Sequence, residues 1–68
     1  MADHIYKVVE VVGSSPDSIQ EAVRNAVAKA CETLRHVEWA EVGSIRAHVA
    51  DGKVAHFQVV TKIGFRLE

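Results

Sequence analysis

The stretch KVAHFQVVTKIGFRL, residues 53–67, alternates from end to end. Ala55, Phe57, Val59, Thr61, Ile63, Phe65 and Leu67 fall on one side of an extended chain. His56, Gln58, Val60, Lys62, Gly64 and Arg66 fall on the other. A two-residue period held this long reads as a strand with one face on a core. Just before it, residues 37–49 form a second extended run, and ADG joins the two into an antiparallel hairpin. A two-residue Asp51-Gly52 turn would place Ile45, Ala47 and Val49 on the face of His56 and Gln58. A three-residue loop, Ala50-Asp51-Gly52, instead pairs Val49 with Lys53, Ala47 with Ala55 and Ile45 with Phe57. Its faces agree, so it is the expected register.

Upstream of this hairpin, IYKVVEVV (residues 5–12) is β-branched and aromatic and reads as a strand. GSSPDS then opens a helix expected over 16–35, with Ser15 as N-cap, Pro16 in the first helical position and Asp17 at the positive end of the dipole. Ile19, Ala22, Val23, Ala26, Val27, Ala30 and Leu34 make one apolar stripe of helical period. Its small residues let it lie close on a sheet. The fold class is therefore α+β, a β-α-β-β unit with a three-stranded antiparallel sheet and one helix. An all-antiparallel sheet needs the last strand in the middle, order 2-3-1, and the long alternating strand suits that place.

The chain has 68 residues and reads as one domain, 1–68. A chain this short buries only about 60% of its unfolded surface and is marginal alone. There is one cysteine, Cys31, read as a small buried or half-buried hydrophobe, and so no disulfide framework. Oligomerisation is the remaining common device. The N-terminal residues carry no basic run followed by a long apolar one, which points to a cytoplasmic protein with no membrane partner. Eight Lys and Arg against nine Asp and Glu give a net charge of −1, with no basic block of the kind that nucleic acid attracts.

The single tryptophan, Trp39, stands in HVEWAEVGSIRA, between Glu38 and Ala40. Ala40 and Val42 are even-numbered while Ile45 and Ala47 are odd. A bulge at Gly43-Ser44 restores the phase. Past that bulge Ala40 faces Thr61 on the helix side, and Trp39 turns outward opposite Lys62, sharing the outer face with nearby Gln58, Arg46 and Arg66. An outward indole on a one-layered sheet seeks a partner, and burying it is worth about 4 to 6 kcal/mol by area. Two readings stand at this point. Trp39 stacks a flat heteroaromatic ligand, with Gln58 supplying a donor and an acceptor to the ring edge and an arginine taking phosphate. Alternatively, Trp39 packs a subunit interface and the protein is an oligomeric assembly module.

His48 and His56, near the hairpin turn, lack a third patterned ligand and read as structural. No nucleophile motif or phosphate-binding glycine loop is present, and Glu38 and Glu41 read as strand charges rather than an acid/base pair. Nothing in the chain calls for an enzyme.

Three blocks, YKVVEVVGSSPDS, VEWAEVGSIRA and AHFQVVTKIGFRLE, together resemble the dodecin family in order over nearly the whole chain. The resemblance implies twelve subunits in a hollow shell, a homododecamer, that binds FMN or riboflavin without turnover. It implies flavins stacked between symmetry-related copies of Trp39, with Gln58 hydrogen-bonding the ring. Arg46 is then near the flavin phosphate or ring, and Val37 and Glu38 give backbone or ribityl contacts. Tyr6, Lys29, Arg35 and Arg66 are the corresponding candidates for a coenzyme A site. The function implied is storage and sequestration, with a stacked indole quenching flavin photochemistry.

Overall fold

The computed structural model describes residues 3–67; Met1, Ala2 and Glu68 lie outside the described residues. Strand β1 spans Ile5–Ser15, helix α1 Ile19–Cys31, strand β2 Val37–Ala50 and strand β3 Lys53–Leu67. The sheet order is β1-β3-β2, with both pairings antiparallel. The β-α-β-β unit and the central last strand are as the alternation predicts.

The core is thin and sits under the helix. Val59, Ile63 and Thr61 of β3 are fully buried against Ala22, Ala26 and Ala30. Side chains this small bring the helix axis down onto the strands, and at Gly13 the backbone of β1 touches it. The stripe is narrower than its sequence suggests: Val23 and Val27 are half-buried and Ile19 is exposed. Cys31, expected inside, is exposed.

The helix begins later than the expected residue 16. Ser15 is still in β1, paired with Phe57, and its Oγ accepts hydrogen bonds from the Asp17 and Ser18 amides. That bridges the turn through Pro16 and hands the cap to Ser18, whose Oγ accepts from the Glu21 amide at 3.0 Å. At the other end the helix stops at Cys31 rather than 35, as the Thr33 and Leu34 amides both turn back to the Ala30 carbonyl.

The hairpin register differs from the expected one. Asp51 (φ 53°) and Gly52 (φ 74°) form a two-residue turn with left-handed backbone at both positions, pairing Ala50 with Lys53 and Val49 with Val54. The face conflict is removed on the opposite strand. Ala55 is the extra residue of a bulge, so His48 pairs with His56, Ala47 with Phe57 and Ile45 with Val59. The apolar faces agree, two residues away from where a three-residue loop would have put them.

β2 runs well beyond the helix that should cover it. A 13-residue helix is about 20 Å long, whereas 14 residues of strand reach about 46 Å. Ile45, Val49 and Val54 are thus 50%, 61% and 53% exposed on the helix-side face. The radius of gyration is 14.1 Å, against about 11 Å for a compact chain of this length. The accessible surface is 4884 Å², against about 4,250 Å² for a compact monomer of this mass. One subunit thus leaves apolar surface on the helix-side face that its own helix does not cover.

Candidate functional site on the outer face of the sheet

Even-numbered residues of β3 define the face away from the helix. The expected bulge at Gly43-Ser44 is present: Val42 pairs with Thr61 and Ile45 with Val59, leaving both residues opposite Val60. Trp39 accordingly faces outward, 40% exposed. Its partner is Gly64 rather than Lys62, and Ala40 stands over Ile63 rather than Thr61. The two-residue register change at the turn moves the whole strand by that amount. A second irregularity between Val37 and Trp39 makes Glu38 the extra residue there.

Two groups of side chains occupy opposite ends of this face. At one end the Trp39 indole lies across the bare backbone of Gly64, and the Tyr6 ring meets it edge-on with centroids 5.3 Å apart and planes at 67°. Tyr6 pairs with Arg66, and the Arg66 guanidinium reaches the Glu38 carboxylate at 3.4 Å. At the other end Arg46 sits directly opposite Gln58, and one rung further His48 and His56 stack with centroids 4.8 Å apart and planes at 15°. Between the two groups, Lys62 stands between Glu10 and Glu41 in neighbouring registers.

Gln58 is not near Trp39 within one chain. Six residues of strand separate it from Gly64, roughly 20 Å. A ligand touching both the indole and this glutamine has to lie between two copies. Val37 pairs with Phe65 on the helix side, half-buried, so its edge-strand backbone is what it offers. Glu38 is engaged by Arg66, and Glu41 lies opposite Lys62, so the two acids do not form a catalytic pair.

Of the four residues associated with coenzyme A, Arg35 and Tyr6 both neighbour Arg66, and Lys29 stands apart. Arg35 and Arg66 line one shallow groove of about 300 Å³ with His36, Phe65 and Leu67. Lys29 lines a different, apolar groove of about 380 Å³ between α1 and β1. Its ammonium pairs with Glu32 at 3.4 Å. Tyr6 lies on the outer face against Trp39, directly across from Arg66. Gly64 carries its own signal in the sequence, since a glycine inside a strand marks close approach by another group, here the Trp39 indole.

Among the described residues no group of three or more His, Cys, Asp or Glu is placed to hold a metal ion, and no helix is long and apolar enough to cross a membrane.

Comparison with known proteins agrees with this geometry. The Dodecin family model matches residues 5–68. The dodecin of Thermus thermophilus is 45% identical over 64 residues, covering 94% of this chain and 93% of its own. Among solved structures, the dodecin of Streptomyces coelicolor is 56% identical with a TM-score of 0.94, covering 100% of this chain and 97% of that one. The dodecin of Streptomyces davaonensis is 42% identical with the same TM-score, covering 98% of both chains. The chain belongs to the dodecin family, whose members are self-assembling flavin-binding proteins rather than enzymes.

Proposed function

We propose that this protein stores and shields FMN or riboflavin in sites shared between subunits of a hollow homododecamer, each flavin ring stacked on Trp39. The observation that carries this is the placement of Trp39: a half-exposed indole laid flat on a strand, with the polar groups suited to a ring edge roughly 20 Å away on the same face. Such a site is complete only when a second copy brings its own Gln58 and Arg46 beside the first copy's Trp39. The uncovered apolar face of the β2–β3 hairpin supplies the reason for the copies to associate.

The residues present fit a flavin. The indole offers an aromatic face, Gln58 a donor and an acceptor, and Arg46 a planar cation suited to phosphate. A bound flavin supplies the chromophore and redox-active ring. Trp39 provides an electron-rich surface that quenches the photoexcited ring, and the burial of that surface limits photochemistry and free flavin alike. The reading gives the ribityl chain to Glu38 and the Val37 backbone, on the edge strand beside Trp39. The reading locates this store in the cytoplasm and requires neither nucleic acid nor a membrane. Its coenzyme A part rests on Arg66, which shares a groove with Arg35 and pairs with Tyr6 across the sheet, while Lys29 reaches it only from another subunit.

The test is a titration with FMN followed by flavin fluorescence, for the wild-type protein and Trp39→Ala, with particle mass from light scattering. Quenching that saturates at one flavin per subunit, with affinity about a hundredfold weaker in a variant of unchanged mass, is expected. A wild-type protein that does not quench, together with a variant that falls apart, assigns Trp39 to interface packing and removes the flavin reading.

A further inference from the structure

We propose that Gly64 and Tyr6 are positioning residues that fix the plane of the Trp39 indole and leave it a single open face. The inference rests on the flavin reading above and adds what holds the stacking surface in place. Gly64 is buried although it lies on the outer face, because the indole covers it. A Cβ built on Gly64 would overlap Cδ2, Cε2 and Cζ2 of Trp39, so the six-membered part of the indole rests directly on the backbone of the central strand. No other residue type leaves that space.

Contact with the strand removes one face of the ring from use. The Tyr6 ring then blocks rotation within the plane of the sheet, its edge-on contact at 5.3 Å and 67° being the favoured arrangement for two aromatic quadrupoles. Tyr6 is itself fixed by β1, opposite Arg66. The indole is thus supported from below by β3 and from the side by β1, while it is anchored on β2. All three strands contribute to its orientation.

The functional consequence is preorganisation. An indole on a single exposed strand samples several rotamers and has to be ordered when a ligand arrives. Here it is already flat on the strand, with the residue still 40% exposed. A one-faced surface also sets the geometry of the ligand site. Each chain offers one stacking face, so a ring enclosed on both sides draws its second aromatic wall from elsewhere. This assigns to Tyr6 a role at the indole, apart from any part in coenzyme A binding.

Gly64→Ala places a methyl group where the ring lies, forcing the indole to tilt or swing off the strand. Without ligand, the expected result is a faster decay of tryptophan fluorescence anisotropy and a weaker near-ultraviolet dichroism band, at unchanged particle mass. With FMN, affinity falls at least tenfold and quenching at saturation is incomplete. Tyr6→Ala is expected to loosen the ring in the same two measurements, and Tyr6→Phe, which keeps the ring edge, to restore both. That pair decides the matter should Gly64→Ala fail to assemble. A Gly64→Ala protein that quenches FMN with wild-type affinity and keeps wild-type anisotropy overturns the cradle while leaving flavin binding intact. A wild-type protein that does not bind FMN overturns the flavin reading, and the ligand-free anisotropy then judges the cradle alone.

Discussion

The seat of α1 on the sheet makes the sharpest stability prediction, through Gly13→Ala. A Cβ on Gly13 would overlap the carbonyl oxygen of Ala22 and stand 2.9 Å from both the Ala22 carbonyl carbon and the Ala26 Cβ. Carbon atoms in ordinary contact lie about 3.5 to 4.0 Å apart, so the helix has to retreat by about an ångström. Most of the atoms it meets are backbone, which cannot rotate aside. The retreat opens the seam where Ala22 and Ala26 bury Val59, and a radial gap of that size forfeits about half of each contact it crosses. Overpacking costs typically about 1 to 3 kcal/mol, and a backbone clash in the helix–sheet seam belongs at the upper end. About 3 kcal/mol corresponds to a fall of at least about 12 °C in melting temperature for a domain of this size. The assay is thermal unfolding by far-ultraviolet dichroism at one fixed subunit concentration, because assembly contributes to the midpoint. Gly43→Ala is the internal control: its Cβ would meet the Val60 carbonyl oxygen at 3.4 Å and Val60 Cγ1 at 3.7 Å, which is ordinary contact. It should melt within about 4 °C of wild type. If the two variants melt alike, the close seating of the helix is not what sets the stability of this fold.

Two further substitutions separate the scaffold from the site. Ser18→Ala removes the side chain that caps α1 and should cost about 1 kcal/mol, read as a lower melting temperature with flavin affinity unchanged. Arg46→Ala tests the phosphate. If Arg46 takes it, FMN affinity falls about tenfold or more while riboflavin affinity holds, and FMN binding loses part of its salt dependence. Equal losses for both flavins would place Arg46 on the ring instead.

Much of the architecture could be read from alternation alone. The fifteen residues of β3 specify their own faces, and once β3 is central the order of the sheet follows. What could not be read was register. Ala55 fits the inward set by type and by parity, so nothing marks it as the extra residue of a bulge. The Asp51-Gly52 turn sets polar against apolar only while both strands stay regular, and the bulge at Ala55, three residues later, relieves the conflict. Helix ends were misplaced for a related reason. Ser15 and Ser18 are equally good caps by composition, and pairing of Ser15 with Phe57 in the sheet decides between them.

The same two-residue displacement changes how the site has to work. Trp39 expected over Lys62 would leave Gln58 four residues away, close enough for one chain to appear nearly self-sufficient. Trp39 over Gly64 puts six residues between them and places the indole at the far end of the sheet from its polar complement. No rotamer closes a gap of roughly 20 Å, so on the proposed reading the ring-edge groups and the stacking face come from different chains. The apolar hairpin that α1 cannot reach and the indole that its own chain cannot complete then have one remedy. Association of copies covers the first and, on the proposed reading, supplies the second, which would tie flavin binding to assembly through the geometry of a single strand.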